Sequence, residues 1–167
     1  MTSTFATSAQ SRAGSGVSAF LRQNRQYLPY VAWIQALVAT AGSLYFSEVM
    51  DLPPCVLCWY QRILMYPLTA IIAIGILRLD RGLPFYVLPL TLAGIVVGSY
   101  HNLLYYGVIP EEALHTCQLG ISCTSRQIEW LGFITIPLMS LTAFTVITAV
   151  MIAMAAANRL SLRRLIR

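Results

Sequence analysis

Four long apolar runs dominate the chain. They lie near Tyr30–Val49, Tyr60–Leu77, Leu83–Tyr106 and Leu131–Ala156, separated by short polar segments. Each is about 18 residues or longer, enough to cross the hydrocarbon layer of a bilayer as a helix. The pattern predicts an all-α membrane protein, a four-helix transmembrane bundle with no sizeable soluble domain. The first run follows a long polar stretch, and no small-x-small cleavage site precedes Glu48. A retained span is therefore expected in place of a cleaved signal. Residues 1–27, rich in Ser, Thr, Ala and Gly at their start, are expected to be a disordered cytoplasmic tail. Residues 28–156 form the membrane domain, and 157–167 a basic cytoplasmic tail.

Composition supports this reading. Of 167 residues, 57% are hydrophobic and 10% charged, against roughly 25% charged in a soluble domain. All 11 basic residues are arginine. Arg12, Arg22 and Arg25 precede the first run, Arg78 and Arg81 follow the second, and Arg159, Arg163, Arg164 and Arg167 follow the fourth. Only Arg62 and Arg126 fall on the other side, with Glu48, Asp51, Glu111, Glu112 and Glu129. Cytoplasmic loops carry the arginine excess, so both termini are expected in the cytoplasm. Two extracytoplasmic loops are then expected, near 48–58 and 107–129. The net charge of +5 is a topological signal and implies no nucleic-acid partner.

Within the spans, Gly94 and Gly98 are placed for close helix approach. Pro67, Pro84, Pro89 and Pro137 predict local bends, tolerated where neighbouring groups re-satisfy freed carbonyls.

All four cysteines fall in the outer loops or at an outer helix end: Cys55 and Cys58 in the first, Cys117 and Cys123 in the second. Two structural disulfides are one use for them. A bridge between Cys117 and Cys123 is geometrically ordinary, but one between Cys55 and Cys58 closes too small a loop to remove much chain entropy. Redox-active pairs commonly have the Cys-x-x-Cys spacing. A four-thiolate metal site is disfavoured because the second spacing is wider than a zinc knuckle, and no metal is expected. Pro53-Pro54 favours an extended approach followed by helix initiation. Cys58 then faces the positive end of the helix dipole, and Arg62 lies about 6 Å deeper on the same face. An arginine there either snorkels outward or holds a thiolate or the polar headgroup of a membrane-dissolved acceptor. With no flavin motif, lipid-dissolved quinone is the nearest acceptor, and Trp59, Tyr60 and Tyr66 are candidates to frame its ring. His101, in the outer part of the third run, is either a packed histidine or a proton donor to reduced quinone. His115 is expected to be an exposed loop residue.

The segment Cys55-Val56-Leu57-Cys58-Trp59-Tyr60-Gln61-Arg62, followed by Met65-Tyr66-Pro67, resembles the DsbB-type disulfide bond formation proteins, four-span quinone-dependent thiol oxidoreductases. Residues 123–137 look most like the short-loop branch called BdbC. The resemblance covers about residues 30–155. It implies that Cys58 engages the quinone (ubiquinone or menaquinone) and that Arg62 helps to bind it. It further implies that Cys117 and Cys123 form a shuttle pair. Cys117 would form the mixed disulfide with an extracytoplasmic thioredoxin-like oxidase of the DsbA/BdbD kind. The second loop is shorter than in the proteobacterial branch, so partner docking there is expected to differ. Two other readings use the same cysteines: a reductase carrying electrons outward, and a non-catalytic membrane protein with structural disulfides.

Overall fold

The computed structural model describes residues 23–24, 26–109, 129–130 and 134–165, with side chains for all of these but 129, 130, 134 and 159–165. Four helices account for most of it: α1 (Leu28–Glu48), α2 (Val56–Leu77), α3 (Leu83–Tyr105) and α4 (Ile136–Leu165). A short antiparallel ladder, β1 (Glu129–Trp130) with β2 (Ile134–Thr135), leads into α4.

Prolines set most of the helix starts. Pro29 and Pro84 occupy the first turns of α1 and α3, where the missing N–H costs nothing and φ is already helical. Pro137 does the same for α4, and the Leu138 N–H donates to Thr135 Oγ1 at 3.4 Å. That start lies five residues after the expected Leu131, because the apolar pattern runs on through a segment that includes β2. Before α2, Cys55 takes the N-cap position in an extended conformation with ψ of 169°. The helix therefore begins at Val56, earlier than the apolar run at Tyr60, and Cys58 lies inside its first turn. Between α2 and α3 the chain reverses in five residues, with Leu79 in the left-handed region at φ 50°. Asp80 closes this turn: its carboxylate accepts the Gly82 N–H at 2.6 Å and the Tyr86 hydroxyl. These donors hold the Asp80 carboxyl below its ordinary range, the tyrosine first.

Each helix packs against two others: α1 on α2 and α4, α3 on α2 and α4. The result is a ring of four with its core between Leu68 and Ile72 of α2, Leu83 and Val87 of α3, and Phe144, Ile147 and Met151 of α4. Gly94 lets the Phe144 ring lie directly on the α3 backbone, since a Cβ there would sit 2.4 Å from the ring. Gly98 meets Leu141 at 3.5 Å. The small-residue face is thus an α3–α4 packing surface. Large apolar side chains such as Ile63, Ile74, Leu92, Val96 and Ile152 point outward, as befits helices whose solvent is lipid.

Among the described residues, three helical segments are long and apolar enough to span a membrane: Val56–Leu77, Leu83–Tyr105 and Ile136–Asn158. The 21-residue α1 has the length but carries Gln35, Thr40, Ser43 and Ser47. Several of these polar groups are used inside the bundle. Thr40 hydrogen-bonds Thr69 across to α2 at 3.1 Å, and Ser43 receives two groups described below. The protein is a multi-pass membrane bundle, all-α apart from the two-residue ladder.

Candidate active site at the Cys55 end of the bundle

Cys55 is the N-cap of α2, and its Sγ accepts the Cys58 N–H at 3.3 Å. Both cysteines are free thiols, with their sulfur atoms 2.8 Å apart. Cys55 is buried and Cys58 half-buried, so the two face different surroundings.

Cys55 looks toward α3. The His101 Nε2 lies 3.7 Å from its sulfur, and the other ring nitrogen, Nδ1, lies 3.0 Å from the Gln61 side-chain nitrogen. His101 and Gln61 are almost fully buried. With the Gln61 N–H donating to Nδ1, the ring proton sits on Nε2 and donates to Cys55. The Cys58 contact and then His101 hold the Cys55 thiol well below the usual thiol range, against the opposing effect of burial.

Cys58 looks the other way, into a cavity of about 170 Å³ between α1, α2 and α4. Gln61, Arg62, Tyr66, Ser43 and Met139 contribute to its wall. The Arg62 Nη2 donates to the Ser43 carbonyl at 2.9 Å, and the Tyr66 hydroxyl donates to Ser43 Oγ at 3.4 Å. The guanidinium also lies over the Trp59 ring, 5.6 Å from its centre. A cation at this depth is held by a carbonyl and an aromatic face, leaving further N–H donors for a cavity occupant.

Of the residues singled out from sequence, Cys55, Cys58, Arg62, Tyr66 and His101 are brought to one end of the bundle. His101, however, sits on Cys55 and is not among the cavity-lining residues. Trp59 is half-exposed and touches the site through Arg62. Gln61 escaped the sequence reading, yet among the described residues it is the one side chain that both lines the cavity and bonds His101. Its signal was a polar amide three residues after Cys58, on the same helix face. Cys117, Cys123 and His115 lie outside the described residues.

A larger cavity, about 660 Å³, opens at the opposite end beside Tyr30, Asp80, Arg81 and Asn158. No thiol lines it, so volume alone does not locate the chemistry.

Comparison with known proteins agrees with this geometry. Residues 24–154 match the model of the family described as "Disulfide bond formation protein DsbB". The chain is 43% identical to Disulfide bond formation protein C of Bacillus subtilis, an alignment covering 75% of this chain and 90% of the relative. It is likewise 43% identical to Probable disulfide formation protein C of Halalkalibacterium halodurans, over 70% and 84%. A Metapseudomonas resinovorans protein named Probable disulfide formation protein is 39% identical, over 73% and 85%. No solved structure matches significantly. A family match across most of the chain, falling on the residues that build the thiol site, places this protein in the DsbB family of disulfide bond formation proteins.

Proposed function

We propose that this protein is a membrane thiol–disulfide oxidoreductase. It re-oxidises an extracytoplasmic thioredoxin-like disulfide oxidase, of the DsbA/BdbD kind, and delivers the electrons to membrane quinone. The observation that carries the reading is the placement of Cys58. It lies between a second thiol, Cys55, and an apolar-walled cavity that also presents Arg62, Gln61 and Tyr66.

A cavity of about 170 Å³ suits a single six-membered ring with small substituents. Its polar groups fit a pair of carbonyl oxygens: the spare N–H donors of Arg62 and the second amide N–H of Gln61, with the Tyr66 ring in the wall. Bound there, a quinone (ubiquinone or menaquinone) supplies an acceptor for two electrons and two protons.

The chain's own groups do the rest. The partner's thiolate attacks the Cys117–Cys123 disulfide at Cys117, and its second thiol releases the partner as a disulfide. The reduced shuttle pair then attacks the Cys55–Cys58 disulfide by the same exchange. This leaves Cys55 and Cys58 as a dithiol and restores Cys117–Cys123. Cys58 donates from the cavity side. Cys55, held by His101, bonds to the Cys58 sulfur as the pair gives up two electrons to the acceptor in the cavity, which re-forms the disulfide. Two electrons and two protons leave in total, which balances the dithiol oxidised against the quinol formed. The arginine distribution supports an orientation with the Cys55 end outside, where disulfides persist.

The test is quinone reduction by the purified protein in detergent, with a reduced thioredoxin-like oxidase as donor. Wild type is expected to form quinol in a donor-dependent way and Cys58→Ser to form none. Quinol formation that survives the substitution would remove Cys58 from the electron path.

A further inference from the structure

The cysteine pair and His101 have a second chemical property that electron transfer does not use. Among the described residues, one ligand atom from each of Cys55, Cys58 and His101 lies within 4.8 Å of the other two. We propose that the reduced site is a redox-gated binding site for a thiophilic d¹⁰ cation, with Zn²⁺ as its probe, and that a bound cation blocks re-oxidation of the pair.

The geometry is close to what such an ion needs. A tetrahedral zinc with Zn–S of about 2.3 Å and Zn–N of about 2.0 Å separates a sulfur and a nitrogen ligand by about 3.5 Å. The Cys55 Sγ to His101 Nε2 distance is 3.7 Å, so this edge is already in place. Two thiolate ligands stand about 3.8 Å apart in the same geometry, against 2.8 Å here. The edge opens by rotation of Cys58, whose side chain borders the cavity and has room to turn. A Cys-x-x-Cys turn plus one histidine is a recurrent zinc ligand set, and its open fourth position suits water. Cys58, the one of the three that borders the cavity, gives the ion its way in.

Gln61 supplies the orienting contact. A histidine that ligates through Nε2 must carry its proton on Nδ1 and donate it to a neighbour. The Gln61 amide is the group at 3.0 Å from Nδ1, and turning its oxygen to the ring makes it that acceptor. The two amide orientations thus select between Nε2–H donating to the Cys55 thiolate and an Nε2 lone pair free for metal. Binding displaces the one remaining thiol proton, that of Cys58, and moves the His101 ring proton from Nε2 to Nδ1, with no change of oxidation state. A Cys55–Cys58 disulfide has no thiolates to offer, so the oxidised protein does not bind, and the metal-loaded dithiol cannot close its disulfide. None of this depends on a quinone being the acceptor.

The experiment uses the full chain in detergent with Cys117→Ser and Cys123→Ser, which leaves one thiol pair. Zn²⁺ is titrated in competition with a chromophoric chelator. One equivalent is expected in the reduced protein and none after oxidation to the disulfide. His101→Gln is expected to weaken binding at least tenfold, and Gln61→Leu by about 10–100-fold. Zinc held equally well by the oxidised protein or by His101→Gln overturns the proposal, as does no binding to the reduced protein. Because His101→Gln can disturb the fold, the ligand set is also read without that substitution by loading Co²⁺. Thiolate-to-cobalt charge transfer with the strong visible bands of a four-coordinate ion is expected. The weak spectrum of a six-coordinate ion overturns the site.

Discussion

At the scale of single residues, the two thiols are separated in role by what each faces. Cys55 is buried against a histidine, whereas Cys58 opens on a cavity. Cys55 is an N-cap, so its sulfur also takes a backbone N–H, one of the donors a helix start leaves free. Its acidity follows first from the Cys58 thiol beside it, then from His101 and the backbone N–H, and the sign is definite. A depressed thiol pKa adds stability that is complete above the unfolded value of 9.0 and is lost as pH falls through the folded value. His101→Ala removes one donor while the burial remains. A hydrogen bond to a charged group is worth about 1.5–3 kcal/mol, so the Cys55 thiolate titration is expected to move up by about one to two pH units. Thiolate ultraviolet absorbance of reduced Cys58→Ser, with and without His101→Ala, measures it. An unmoved titration would mean that the ring merely packs against the sulfur. The pairing of His101 with Cys55 was not legible in sequence, because 46 residues separate them and only the α2–α3 hairpin brings them together. Gln61 was half-legible: its polarity inside an apolar run was visible, its partner was not.

At the scale of elements, proline and glycine explain where hydrophobicity alone misplaces a boundary. The apolar pattern located all four helices, since a span must be apolar over its full length. It set the start of α2 too late and that of α4 too early, because the pattern does not distinguish helix from extended chain. Pro54 and Pro137 mark the true starts. The glycines of α3 are separable by what they meet. Alanine at Gly98 would make an ordinary contact with Leu141 at 3.5 Å, and its better helix propensity makes the change neutral or slightly stabilising. Alanine at Gly94 would drive its Cβ to 2.4 Å from the Phe144 ring. Overpacking of this kind costs about 1–3 kcal/mol. Thermal unfolding in detergent is expected to show a lowered midpoint for Gly94→Ala and none for Gly98→Ala. Adding Phe144→Leu should recover part of the loss, the signature of a direct contact in a double-mutant cycle. Equal effects at the two glycines would mean that the α3–α4 contact is governed by something other than that ring.

At the scale of the whole molecule, the bundle has two chemically different ends, and function depends on which faces the oxidising side. One end carries the thiols, the cavity and the acidic Glu48 and Asp51; the other carries the tight Arg78–Arg81 turn. Arginines near short loops are retained in the cytoplasm during insertion, and disulfides persist outside it. Both rules support the proposed orientation, with the Cys55 end outside, for independent reasons: one concerns insertion, the other the thiol chemistry. Their agreement is testable without any redox assay. In a chain with its four cysteines replaced, single cysteines are introduced at Leu79 and at Val108, both well exposed at opposite ends of the bundle. A membrane-impermeant maleimide applied to intact cells is expected to label Val108→Cys at once. Leu79→Cys should react only after the membrane is permeabilised. The reverse pattern would leave the dithiol and its cavity facing a reducing compartment. The proposed oxidase would then fail on topology alone, whatever the geometry of Cys55, Cys58 and Arg62 allows.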